Sequence, residues 1–542
     1  MYRFNKLIHK YLDMKKIKII LISLILLSSC TADNLSEKIT GNLTADGVFT
    51  DEEGIGLALN GAYSAFTSFI GSTGNRETGW TLIAMGTDTY TNGSDGNFKS
   101  FNTYNSDLNA SSIVVQEPWE VFYKGINTAN AVIGRAPNVI SDSEKLKNIL
   151  GQARFLRGYY FYWLARIWGP VHYTDQETKG AETEATRMPL DQLYPKIIED
   201  MEFAEQNLPP SQNDFGRATS WAAKTALADI YLTLKDYDKA AQYAEEVINN
   251  GPFSLVKPFA DLWKLDNENN SEVIWSAQFA DNKEFDNGGN PAHLFFLMEY
   301  DKLPGMVRDV VNGRPWKRFK PTNYLLNLYD EEDQRYDGTF TTVWFANNPN
   351  SAPPGVQVGD TAVWLPRKTL TQAEKDSRPF SVNVFNQSEY TEKIYPASKK
   401  WVQPNRVSVN EESGGRDFIA WRLAEVYLIA SEANALKPAP NQGKALEYLN
   451  EVRMRAYGVD NVSTLPPISS VNIDVILEER AKELAQEGKR WFDLVRTGKL
   501  VERVRLHNPQ GAPNVQDFHM LRPIPLTQID RTSTDFPQNP GY

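Results

Sequence analysis

The 542-residue sequence predicts a mainly α protein, a tetratricopeptide-like helical scaffold interrupted by a long, loop-rich insertion. Three amphipathic segments share one spacing: Leu164-Ala165 with Trp168, Leu227-Ala228 with Tyr231, and Leu423-Ala424 with Tyr427. Two of them are followed by a second helical period, with Ala240, Ala244 and Val247 in one case and Ala445, Leu449 and Val452 in the other. Small residues let paired antiparallel helices approach closely, and the large residue one turn on fills the groove toward the next pair. Finally, about 160 residues separate the second unit from the third, far more than a helix–helix connection needs.

Taken in order, the chain begins with a leader. Lys15, Lys16 and Lys18 precede an apolar run over residues 19–27 that ends in Leu27-Ser28-Ser29-Cys30, and Met14 fits a translation start at its head. The run is shorter than the roughly 20 residues a membrane-spanning helix needs, so residues 1–29 read as a lipoprotein signal peptide. Cys30, the only cysteine, stands where the lipid is attached. Several acyl chains, at about 0.8 kcal/mol per buried CH₂, hold durably where one holds marginally. Residues 30–45, polar and poor in aromatics, read as a flexible tether.

Residues 46–251 form an N-terminal helical region. The first repeat unit pairs with residues 194–208, where Ile197, Ile198, Met201 and Ala204 share a face, and Asn249-Asn250-Gly251-Pro252 stops the last helix. Residues 252–415 are the insertion, rich in Gly, Pro, Asn and Asp, and they carry Trp263, Trp275, Trp316, Trp344, Trp364 and Trp401. Irregular segments on a rigid scaffold are where binding residues tend to lie, while the competing role for any one of these rings is a satellite core. Residues 416–542 return to helix, with Lys437-Pro438-Ala439-Pro440 separating two elements.

A second irregular stretch, residues 86–108, combines Asp88, Tyr90, Asp95, Phe98 and Tyr104 with turn residues. Aromatic faces meet the C–H faces of sugar rings and Asp or Asn bonds their hydroxyls, so this composition suits a polar, uncharged ligand. The alternative is a solvated loop with anchoring aromatics.

Composition and missing motifs exclude other classes. With 41% apolar and 12% aromatic residues the chain can bury large cores, and a net charge of −11 repels phosphate, so nucleic acid is not expected as a partner. The five histidines are scattered, HExxH and GxSxG are absent, and with one cysteine no thiolate zinc site forms. Residues 266–277 resemble a calcium loop but carry Ser271 where Gly is needed and Ala277 where Glu is needed. Glu478, Glu479, Glu483 and Glu487 interleave with Arg480 and Lys482 on one helix and read as an ion-pair network rather than an acid/base dyad. No catalytic residue, metal or cofactor is expected, and the protein is not read as an enzyme.

Several blocks together resemble the SusD/RagB family of nutrient-binding lipoproteins of Bacteroidetes. They include EPWEVFYKGINTANAVI (residues 117–133), GQARFLRGYYFYWLARIWG (151–169), GRATSWAAKTALADIYLTLKDYDKAAQYAEEVINNG (216–251) and RDFIAWRLAEVYLIASEANAL (416–436). LNEVRMRA (449–456), ILEERAKELAQEGKRWFDLVRTG (476–498), LRPIPLTQI (521–529) and the terminal QNPGY (538–542) follow. Arg154, Arg157, Glu425, Glu432, Arg480, Glu487, Arg490 and Asp493 lie within these helical blocks and read as buried or half-buried ion pairs.

The resemblance implies a SusD-like helical scaffold with loops and a few short strands. It also implies an outer-membrane, cell-surface lipoprotein that captures an oligosaccharide and delivers it to a TonB-dependent SusC-like transporter. Peptide capture of the RagB kind, or a structural lid with weak affinity, are the alternatives. The family supplies no ligand motif to transfer. Position and chemistry alone therefore select the candidate site: Trp80, Asp88, Tyr90, Asp95 and Phe98 with Trp316, Trp344 and Trp364.

Overall fold

In the computed structural model, which describes residues 47, 49–71, 77–280 and 289–542, helices stack in pairs. The expected signal peptide, Cys30 and the tether lie outside the described residues. Three helices open the fold: α1 (Glu52–Gly71), α2 (Thr78–Ala84) and α3 (Ile113–Arg135). Next come α4 (Ser143–Trp168) and α5 (Leu190–Asn207), then α6 (Ser220–Thr233) and α7 (Tyr237–Asn250), then α8 (Leu423–Leu436) and α9 (Gln442–Tyr457). Consecutive members from α4 to α9 pack against one another, so α7 lies on α8 although the insertion separates them in sequence.

Local chemistry explains the ends of these helices. Asp142, Thr219, Asp236 and Asn441 each accept a first-turn backbone N–H, satisfying donors that the helix itself leaves unpaired. Small side chains set the spacing within pairs: Ala222, Ala223 and Ala226 of α6 and Ala240 and Ala244 of α7 are fully buried. Ile197, Met201 and Ala204 of α5 face α4 as the periodicity predicts, with Ile198 at the edge of that face.

The strands are short and antiparallel. β1 (Tyr90–Asn92) pairs with β3 (Phe319–Pro321), and β2 (Val273–Ala277) with β6 (Phe418–Arg422). β4 (Val343–Phe345) pairs with β5 (Thr361–Trp364), and a fourth ribbon joins Phe340–Thr341 to Ala397–Ser398. The β2–β6 ribbon crosses the expected boundary near residue 415, and Asp51–Tyr542 forms one compact unit.

Beneath that ribbon lies an aromatic core. Tyr159 of α4 meets Trp275 edge-on at 4.8 Å and Trp421 at 5.2 Å, while Phe66 of α1 stacks on Trp275 at 5.5 Å. A buried ionic layer continues from α10 (Ile473–Glu483) into α11 (Arg490–Arg496). Glu483 accepts from Arg422 at 2.6 Å, from Arg335 at 3.1 Å and from Arg455. Glu487 holds Arg422 and Lys400, each at 2.8 Å, and Glu272 holds Arg422 at 2.7 Å and Arg455 at 3.0 Å. An ion-pair network is therefore present, but the helix ends at Glu483, so Glu487 lies in the following turn. Of the expected pairs within the helix Lys482–Glu479 forms, while most partners come from other elements; Glu479, Glu483 and Glu487 are buried and Glu478 is exposed.

Candidate functional site

The β1–β3 ribbon brings residues 93–98 alongside residues 314–318, although more than 200 positions separate them in sequence. Beyond the paired strands the two segments stay laced: Gly93 N–H donates to the Arg318 carbonyl at 2.9 Å and Asp95 N–H to that of Lys317 at 3.3 Å. Gly93 is required here, because a Cβ would stand 2.2 Å from the Lys317 carbonyl oxygen.

On this base Trp316 is half-exposed. Its ring leans on Phe295 at 5.8 Å, and the guanidiniums of Arg318 and Arg314 lie 5.2 and 5.6 Å from its centroid. Each arginine is held by a carboxylate, Arg318 by Glu77 and Arg314 by Glu412 at 3.1 Å. Lys317 bridges Asp95 at 3.1 Å and Glu299 at 3.0 Å, Lys393 reaches Glu299 at 3.0 Å, and Lys99 lies 3.6 Å from Glu392. Five cations thus meet five carboxylates, and Lys320 on the same ribbon faces Glu392 as well, so the cradle carries directed polar groups whose charges are largely paired.

Titration follows from these pairs. Burial works to raise Glu299, but hydrogen bonds from Lys317 and Lys393 outweigh it and hold the carboxyl below its usual range. Lys317 is pushed up, because its bonds to Glu299 and Asp95 outweigh the effect of burial. At Glu77 burial prevails over Arg318 and raises the carboxyl.

The structure divides the eight residues chosen from sequence. Asp95 and Trp316 are brought together through Lys317, and half-exposed Phe98 ends the same loop. Trp364 is half-buried on β5, under the Arg378 guanidinium at 4.8 Å and among different neighbours.

The other four are corrected, because each is buried. Trp80 is fully enclosed, edge-on to Trp401 at 5.2 Å and Phe418 at 5.5 Å. Asp88 forms a two-pronged ion pair with Arg490, 2.8 and 2.5 Å, inside the protein. The Tyr90 hydroxyl accepts from Gln486 at 2.7 Å within the core, and Trp344 stacks on Tyr300 in a satellite cluster. The stretch 86–108 is thus only partly a recognition loop: residues 87–92 are a buried ribbon and the exposed part begins at residue 94.

Sequence reasoning weighed Trp316 without Arg314 and Arg318. The Arg-x-Trp-x-Arg spacing was the available signal. Among the described residues, no group of three or more His, Cys, Asp or Glu side chains could hold a metal ion, and no helix is long and apolar enough to cross a membrane.

A stacked-helix scaffold that presents a flat ring among paired charges offers a surface suited to ligand binding. Residues 271–542 match the sequence profile of the SusD family, and residues 68–232 match a second described as starch-binding associating with outer membrane. The chain belongs to the SusD family. It is 28% identical to SusD-like protein P2 of Formosa agariphila over 98% of this chain and 100% of that one. A SusD homolog from Bacteroides thetaiotaomicron superposes with a TM-score of 0.75 at 21% identity, covering 94% of this chain and 100% of that one. Surface glycan-binding protein A from the same organism, in complex with laminarihexaose, gives 0.69 at 22% identity, covering 90% and 100%.

Proposed function

We propose that the protein is a cell-surface, lipid-anchored glycan-binding protein that captures an oligosaccharide and passes it to a TonB-dependent SusC-like transporter in the outer membrane. The observation that carries this reading is the Trp316 cradle. A half-exposed indole offers an apolar plate to a sugar ring, while Arg314, Arg318, Asp95 and Glu299 supply donors and acceptors within one patch. Largely paired charge supports a neutral ligand over a basic peptide, since Asp88 and Asp95 are already neutralised by Arg490 and Lys317. Family membership and the glycan complex of a protein sharing the fold support the same reading.

The expected lipid at Cys30 fits retention at the membrane. Catalysis forms no part of this reading.

Isothermal titration of the purified protein against neutral polysaccharides and peptides tests the ligand class. Heat with at least one glycan is expected, and silence toward all glycans alongside peptide binding would overturn it. Separately, Cys30→Ala is expected to abolish surface retention while leaving affinity in solution unchanged.

A further inference from the structure

Away from the Trp316 cradle, two cavities lie side by side where α1 faces the turn between α5 and α6. One, of about 320 Å³, is walled by Tyr63, Phe215 and the end of β2; the other, of about 460 Å³, by Asn148, Gln152, Gln212 and Asn213. Both are lined by Asn60, Asp214 and Arg217, so the two volumes meet at one seam. Each lies within the roughly 300–1,000 Å³ usual for small-molecule sites.

The walls are built rather than incidental. Tyr63 donates to Gln152 at 2.9 Å and its hydroxyl accepts from the Ala218 amide at 2.9 Å. Gln152 donates to Asn148 at 3.0 Å, and Asn148 and Gln212 exchange bonds of 3.2 and 2.9 Å. These bonds fix the amides in place while leaving each a spare proton or lone pair. At the seam Arg217 donates to Asn60 and lies 4.8 Å from the Tyr63 centroid, with Asp214 at 3.8 Å.

Phe215 is 42% exposed on the turn that leads into α6. Gly216 holds φ +84°, its carbonyl accepts from Trp275 Nε1 at 2.8 Å, and a Cβ there would stand 2.3 Å from Gln278 Cγ. The exposed phenyl presents an apolar face to the cavity, next to the row of amides.

From this geometry we infer that the paired cavities form a second saccharide groove, taking an uncharged, polyhydroxylated chain through the Phe215 and Tyr63 rings and the Asn60, Asn148 and Gln212 amides. Among the described residues, the ionic groups on its walls are Arg217 and Asp214, which offset each other's charge, and this favours a neutral ligand. The inference rests on the glycan-binding reading above and adds a second point of attachment on the same long glycan. Its effect is avidity: a polymer spanning both sites is retained better than by either alone.

The test uses the full protein, a glycan it binds in titration, and that glycan's polymer cast into native affinity gels. The double variant Phe215→Ala with Asn60→Ala is expected to leave short-oligosaccharide affinity at the Trp316 cradle within twofold while lowering polymer retention roughly tenfold or more. Trp316→Ala is expected to keep weak polymer retention that the triple variant loses. Unchanged retention in the double variant, or none left in Trp316→Ala, overturns the second groove and leaves the first intact. A parent protein silent toward every glycan overturns both.

Discussion

Replacing Glu483 by Gln removes one negative charge from a layer that is almost wholly buried. Glu483 is fully buried and its two oxygens serve Arg335, Arg422 and Arg455, all buried too. In the parent layer Arg335, Arg422, Arg455, Lys400 and Lys482 are balanced by Asp333, Glu272, Glu479, Glu483 and Glu487. The glutamine shape is nearly the same, but its NH₂ would face a guanidinium N–H, and one cation loses its counter-charge. Breaking a buried pair by removing one partner costs about 3–5 kcal/mol. With an unfolding entropy of roughly 2 cal/mol/K per residue, a chain of this length has about 1 kcal/mol/K, so melting should fall by about 3–5 °C. Differential scanning calorimetry measures this, with exposed Glu478→Gln as the control expected to shift by under about 0.5 kcal/mol. A Glu483→Gln protein melting within 1 °C of the parent would refute the claim that this layer is buried and charge-balanced.

Acid should weaken the same region. Burial alone would raise Asp493 and Glu479, but Arg480 and Arg496 hold the first down to about 2, and Arg335 and Lys482 do the same for the second. Depressed carboxylates stabilise the fold above their unfolded pKa, near 4, and that stability drains as pH falls toward 2. Together they should cost about 3 kcal/mol between pH 6 and pH 3, read as a lower urea midpoint, and an unchanged midpoint would contradict it. Asp88→Ala strands the Arg490 guanidinium and should destabilise by about 3–5 kcal/mol, while protein that remains folded binds glycan as before. Lost affinity with unchanged melting would instead return Asp88 to the binding site.

What could be read in sequence was what is local. The helix pairs announced themselves because Ala and aromatic positions recur within a few turns, so α6 and α7 need no distant information to be recognised. The acidic side of the ionic layer was equally visible, since Glu479, Glu483 and Glu487 recur at four-residue steps, although the helix ends at Glu483 and Glu487 stands in the turn that follows. Its cationic side was only partly so, because Arg335, Arg422 and Arg455 reach Glu483 from 148, 61 and 28 residues away. Long-range pairing also misled the site selection. Asp88 and Tyr90 have the composition of a recognition loop, but β1 finds its partner at residues 319–321 and carries both inward. Asp95 and Trp316 survived because the chain leaves that ribbon at Gly93, and nothing local to either residue announces the other.

Titration of Trp316→Ala with a glycan that the parent binds tests the central claim most directly. Loss of the stacking plate should weaken binding at the cradle at least tenfold, about 1.4 kcal/mol, with a melting temperature within a degree or two of the parent because the ring is half-exposed. Affinity within twofold of the parent would contradict the account and move the primary glycan site elsewhere on the protein.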